Sequence, residues 1–286
     1  MANRDESQRG PTESPRSDCW GRLNDAADLS PILTILDTLP EGFREARRTL
    51  FGHLGLRTTS KVLEAGCGPG TALADLLPWI GSGGQIVGLD PTRALVAEAQ
   101  ERARKAGVPQ ATYFVGDIRQ IDRPDNVFDA AFCDKILVHV GPVSQAIGEM
   151  VRVTRPGGRV GAVEWFSQGM MIAADYGLTR QVLDGSAPAG ALNPMAPIEL
   201  ESLFADAGLH HIEAGSIVAE SRQYLPSLQV MLQRRVQQAE ELAALSAEAG
   251  SAWLDELASR AARGTFYWAA LVRWASGAKA GALGQE

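Results

Sequence analysis

Five short apolar runs constrain this chain more than any other feature: 61–65 (KVLEA), 85–90 (QIVGLD), 111–115 (ATYFV), 128–133 (FDAAFC) and 159–164 (RVGAVE). Segments of helical periodicity lie between several of them. Residues 71–80 read as a helix, 92–106 place Leu95, Val96, Ala99 and Ala103 on one face, and 143–153 stop at Arg155-Pro156-Gly157-Gly158. Strands alternating with helices of this length predict βαβ units, a parallel sheet and right-handed crossovers. In such a sheet ligands bind beyond the carboxyl ends of the strands. Four of the five ends carry a carboxylate, among them Glu64, Asp90, Asp117 and Glu164.

The first run leads into Leu63-Glu64-Ala65-Gly66-Cys67-Gly68-Pro69-Gly70, with glycine at alternate positions. No Gly-Lys-Ser/Thr follows, so this is not a Walker loop. The residue three beyond Gly68 is Thr71, so the dinucleotide pattern fails as well. Asp90 stands 90 − 70 = 20 residues past the loop, where a carboxylate can accept both ribose hydroxyls. Pro91 follows directly, which also suits a helix N-cap. Glu64 would repel a pyrophosphate but attract a cationic amino-acid tail. Asp117 can accept from an adenine amino group with Ile118 on the ring, or simply close a turn after Gly116. In this reading every fixed charge around the loop is negative, which favours a cationic nucleoside without phosphate. Cys67 then serves through its backbone.

Residues 61–70 resemble motif I of the class I S-adenosylmethionine-dependent methyltransferases, E/DxGxGxG. Asp90, Gly116-Asp117-Ile118, Phe128-Asp129-Ala130 and Arg155-Pro156-Gly157-Gly158 resemble the following motifs in order, over about residues 55–165. The resemblance implies a doubly wound, mostly parallel, seven-stranded Rossmann-like α/β sheet with helical N-terminal and C-terminal caps. It implies S-adenosyl-L-methionine as cofactor and S-adenosyl-L-homocysteine as product. The loop with Gly66, Cys67, Gly68 and Gly70 would hold the methionine part, Asp90 and Pro91 the ribose, and Asp117 with Ile118 the adenine. The backbone near Cys133 and Asp134 would meet the amino group.

The stretch from Cys133 to Val140 (CDKILVHV) resembles the SNxxLHHV segment of small-molecule and ubiquinone/menaquinone-type methyltransferases. Asp stands in place of Asn and only the second His is kept. The other quinone-enzyme signatures are not recognisable, which argues against a quinone acceptor. The implied reaction is in-line methyl transfer to an O, C or N atom of a small, apolar natural-product or lipid-like acceptor. His139 is the candidate general base, or else a buttress for the cofactor loop. Glu164 and Trp165 are candidates to orient substrate, although Trp165 equally suits cap packing. Met170, Met171, Tyr176, Leu225, Met231 and Trp253 suggest an apolar cap. A methyltransferase fold also supports two other readings: a cyclase or isomerase that keeps the cofactor structurally, or a non-catalytic cofactor-binding protein.

Composition bounds the rest. The segment 1–18 has the make-up of a disordered tail. It is followed by a helical cap over 19–55, the cofactor core over 56–166, the remaining sheet with a substrate cap over 167–275, and a Gly/Ala-rich tail over 276–286 expected to fray. Within the cap, 185–190 read as a turn, 198–207 as a helix and 211–218 as a strand. Residues 226–262 read as a helix broken near Gly250, and 265–273 as the last strand. Lys+Arg total 27 against 34 Asp+Glu, a net charge of −7, with no dense basic cluster. Nucleic acid is therefore not an expected partner. The three cysteines show no paired spacing, which suggests reduced thiols and a cytoplasmic enzyme. No apolar leader is present and the longest apolar run, 266–272, cannot span a bilayer, so no membrane insertion is expected. No metal-ligand spacing is found, His210 and His211 read as surface residues, and the oligomeric state stays open, a homodimer included.

Overall fold

The computed structural model describes residues 28–281. The tail expected over 1–18, and Cys19, lie outside the described residues. Eight strands form one sheet: β1 (Lys61–Ala65), β2 (Gln85–Asp90), β3 (Ala111–Val115), β4 (Phe128–Asp134), β5 (Thr154–Trp165), β6 (Met171–Ile172), β7 (Leu209–Ser221) and β8 (Trp268–Lys279). The helices described are α1 (Ser30–Asp37), α2 (Glu41–Gly52), α3 (Leu73–Ile80), α4 (Arg93–Lys105), α5 (Val143–Val153), α6 (Tyr176–Gly190), α7 (Leu200–Asp206), α8 (Pro226–Glu241) and α9 (Ala247–Ala262).

Strands β3, β2, β1, β4 and β5 run parallel in that order. Central β1 is covered on both faces, which is why its residues form an apolar run rather than an alternation. Its register sets Val62 beside Ile86 and Ala130, and Glu64 beside Gly88 and Phe132. The sheet turns antiparallel at β8, which pairs with β5 on one edge and with β7 along the other. The two-residue β6 pairs with Trp268 and Ala269, beyond the stretch of β8 that β5 occupies. The expected seven-stranded sheet therefore gains an eighth, minimal strand that prolongs the β5 position.

Three local expectations are corrected. Residues 185–190 continue α6 instead of turning, because Val182 and Leu183 are buried in the core shared with α8. The break in the long helical stretch falls at 242–246, and Ser246 caps α9 by accepting from Ala249 N at 3.2 Å; Gly250 sits inside α9 against Val236 of α8. Residues 276–279 do not fray: they end β8, where Lys279 Nζ donates to the carbonyls of Val151 (2.8 Å), Arg152 (3.2 Å) and Thr154 (2.8 Å). A cation on the carbonyls that end α5 is the favourable pairing for a helix C-terminus.

Helix α2 lies on the sheet through buried Phe43, Ala46, Leu50 and Phe51, with Phe51 edge-on to Phe132 at 5.0 Å. Helices α1 and α8 stand above the carboxyl ends of the parallel strands, where both contribute side chains to one cavity.

Candidate functional site

The cavity measures ≈ 340 Å³, within the range of small-molecule sites. Glu64, Gly66, Cys67, Gly68, Asp90, Pro91, Asp117, Ile118, Asp134, His139 and Trp165 all line it, so most of the sequence candidates converge on one place. The loop after β1 is tied to β2: Gly66 N and Cys67 N both donate to the Leu89 carbonyl at 2.8 Å. Gly68 N donates to Asp90 Oδ2 at 3.0 Å and Thr92 N to Asp90 Oδ1 at 2.8 Å. Asp90 thus orders both the glycine loop and the turn into α4, although the N-cap of that helix is Thr92 rather than Asp90. Burial raises its pKa against those backbone bonds.

Glu64 is 3% exposed and its Oε2 finds no partner among the described residues. Burial pushes its carboxyl up to about 8, opposed by nearby Arg47 and reinforced by Asp134. Arg47, itself buried, lies 3.4 Å from Asp134 and 3.6 Å from Asp75. Lys135 Nζ lies 2.6 Å from Asp134. The expectation that every fixed charge around the loop is negative is therefore corrected, since α2 and the β4 end bring two cations under the acids.

Several candidates take other places. Gly70 does not line the cavity and packs against Ala99 of α4. Cys133 is fully buried, with its side chain in the core. Cys67 is also buried, and burial pushes both thiols well up, as befits packing residues. Asp117 is held by Arg119, whose Nη2 approaches its Oδ2 to 2.6 Å. The largest correction concerns Glu164, expected to touch substrate. It is fully buried, and its Oε1 accepts from Ile136 N at 2.8 Å and Leu137 N at 2.6 Å. Burial raises its carboxyl to about 8. Glu164 positions the loop that carries Ile136 and His139 into the cavity. Glu164→Ala should leave two buried N–H groups unpaired and cost about 2–4 kcal/mol, read as a clear fall in thermal midpoint. Glu164→Gln keeps an acceptor oxygen and should retain most of that stability; equal loss in both variants would refute the staple.

Trp165 lines the cavity and packs edge-on to Phe43 at 5.7 Å. Of the cap residues, Met231 alone reaches the cavity. Trp253 is buried with its indole N–H donating to Thr179 Oγ1 at 3.0 Å, while Met171 and Tyr176 are exposed. His210 and His211 are exposed. His139 forms the end of a short turn, and burial lowers its pKa to about 4, with Arg235 and Arg234 adding to the effect. Sequence reasoning missed Arg47, Lys135, Arg234, Arg235 and Gln238. For α8 a signal existed: Met231, Arg234, Arg235 and Gln238 follow the 3–4 spacing of one helix face, and all four meet the cavity. Among the described residues no His/Cys/Asp/Glu group could hold a metal, and no helix is long and apolar enough to cross a membrane.

Fold and site define a Rossmann-like α/β protein that opens a glycine loop and an acid onto a nucleoside-sized cavity. The family model described as "Methyltransferase domain" matches residues 62–158. An uncharacterized 37.1 kDa protein in transposon TN4556 of Streptomyces fradiae is 31% identical over 251 residues, covering 84% of this chain and 70% of that one. The sterol 24-C-methyltransferase of Yarrowia lipolytica is 34% identical over 130 residues, 44% of this chain and 34% of the enzyme. This chain thus spans about a third of that methyltransferase's length. Among solved structures, YcgJ of Bacillus superposes with a TM-score of 0.56 at 17% identity, covering 83% of this chain and 99% of that one. The matched segment identifies a class I S-adenosylmethionine-dependent methyltransferase domain in this chain.

Proposed function

We propose that this chain transfers a methyl group from S-adenosylmethionine to an O, C or N atom of a small acceptor bound between α1 and α8. The observation that carries this reading is the cavity itself. It joins the acids at the strand ends to an apolar wall formed by Ile32, Ile35, Leu36 and Leu39. The residues fit the cofactor: Glu64 Oε2 is a buried acceptor without a partner among the described residues, suited to an ammonium group. At Gly66 a Cβ would lie 2.3 Å from Ile136 Cδ1, so glycine is what lets this cavity-lining side chain pack onto the loop. In this reading Glu64 meets the ammonium, the loop at Gly66–Gly68 lies along the methionine part, Asp90 takes the ribose hydroxyls, and Asp117 with Ile118 takes the adenine. Bound there, the cofactor supplies a methyl on a positively charged sulfur. The protein's part is alignment and exclusion of water, with residues 56–166 holding the cofactor and the flanking helices enclosing the acceptor.

His139 is assigned to orientation rather than to proton removal. An imidazole whose conjugate acid titrates at about 4 is neutral at pH 7 but a weak base, and general-base efficiency follows that pKa. It can still accept a hydrogen bond from an acceptor hydroxyl. His139→Asn should therefore slow turnover less than about tenfold and leave the pH–rate profile between 6 and 9 unchanged. Loss of an ionisation near 6.5 in the variant would restore the base role. The overall reading is tested by incubating the protein with methyl-labelled S-adenosylmethionine and candidate acceptors. Label appearing in an acceptor supports transfer; product formed without label supports the cyclase or isomerase alternative.

A further inference from the structure

Charges of both signs line the cavity. Glu64, Asp90 and Asp134 face it from the strands, and α8 faces it with Arg234 and Arg235. Two arginines near the site are neutralised: Arg47 by Asp75 and Asp134, and Arg119 by Asp117. Among the described residues, neither Arg234 nor Arg235 forms an ion pair. Arg235 Nη1 donates to the buried Ser186 Oγ at 3.4 Å, which occupies little of a five-donor fork. Burial, with Arg234 beside it, lowers its pKa to about 10, so it remains a cation at neutral pH. A half-buried cation without a counter-charge is costly, and a guanidinium fork matches the planar or tetrahedral oxygens of an oxyanion. The same cavity is lined by the apolar side chains of Met231 from α8 and Leu36 and Leu39 from α1 and its exit.

Resting on the methyltransferase reading, we propose that the acceptor is an apolar small molecule bearing an oxyanion, a carboxylate or a phosphate monoester, and that Arg235 with Arg234 holds that oxyanion at the α8 end of the cavity. Asp134 is paired with Arg47 and Lys135, and burial keeps Glu64 protonated in the ligand-free protein, so the arginines of α8 orient the acceptor: oxyanion toward α8, remainder toward the cofactor. The pair acts as a specificity determinant and leaves open the atom that receives the methyl.

The probes are octanoate, octyl phosphate and octan-1-ol, titrated into the full chain saturated with S-adenosylhomocysteine. At least one anionic probe should bind about tenfold or more tightly than octan-1-ol, the effect of a charge-assisted hydrogen bond. Which anion leads separates the carboxylate from the phosphate source. Arg235→Gln should remove the preference and leave octan-1-ol binding within about twofold, since no charge interaction is lost for that probe. Equal binding of all three probes, or an anion preference that persists in an Arg234→Gln/Arg235→Gln double variant, overturns the proposal. If the variants do not fold, the wild-type comparison alone decides. Failure of the cofactor reading is seen separately, as absence of S-adenosylhomocysteine binding. The same probes are then titrated into the free protein, where an anion preference supports the arginine site and equal binding overturns it.

Discussion

Gly66→Ala is expected to lower affinity for S-adenosylhomocysteine about a hundredfold and to destabilise the protein by about 2–4 kcal/mol. Gly66 has φ +80°, a region that costs a side-chain-bearing residue roughly 1–2 kcal/mol. A Cβ there would also lie 2.3 Å from Ile136 Cδ1 and 2.5 Å from its Cγ1. Ile136 cannot withdraw as a unit, because its backbone N–H is held by Glu164 Oε1 at 2.8 Å. Its side chain lines the cavity, so the remaining relief is rotation into the space meant for the ligand. Gly107→Ala is the control: its φ is +66° but nothing lies within 4 Å of the added carbon. That variant should show the backbone cost of about 1 kcal/mol and unchanged affinity. Calorimetric titration and thermal scans on both variants check this; equal affinity in Gly66→Ala and wild type would falsify the cradle.

Glu64→Gln should move affinity and pH response in different ways. With its folded pKa near 8 against an ordinary 4.5, the folded, ligand-free protein keeps a proton that the unfolded chain has already released. The native state therefore binds more protons between those values, and stability falls as pH rises from about 4.5 to about 8. Glu164, also near 8, contributes with the same sign. Gln at position 64 cannot ionise, so the fall in thermal midpoint between pH 5.5 and 8 should shrink by about half. Cofactor affinity should fall about 10–100-fold, the loss of a charge-assisted contact to the ammonium. In wild type, binding at pH 7 should release a proton, visible as a binding enthalpy that varies with the buffer. An affinity unchanged by the substitution would remove Glu64 from the ammonium role.

The acids differ instructively in how far their sequence context foretold their place. Asp90 combines a strand end, a loop at fixed spacing and a following Pro91, and its carboxylate ties the glycine loop to the start of α4. Glu164 also ends an apolar run, yet it turns away from the cavity. At that edge the backbone of residues 136–137 has two amides with no strand to join, and Glu164 satisfies them. A strand pattern records which residues are buried but not which neighbouring amides need an acceptor. Arg47 shows the converse. It lies on the buried face of an amphipathic helix, where a charged residue reads as an irregularity, and only the approach of Asp75 and Asp134 explains it.

The sequence by itself determined the alternation of strands and helices, the parallel half of the sheet, the glycine loop and the acid beyond it, because these depend on local periodicity and on backbone space. Tertiary structure alone decided which charges share the cavity. Glu64 and Asp134 come from β1 and β4, and Arg234 and Arg235 come from a helix about 170 residues beyond Glu64. Electrostatic energy falls with distance in space, and distance along the chain does not encode it. The cationic wall of the site, and with it the class of acceptor we propose, emerges only once α8 has folded back over the strand ends.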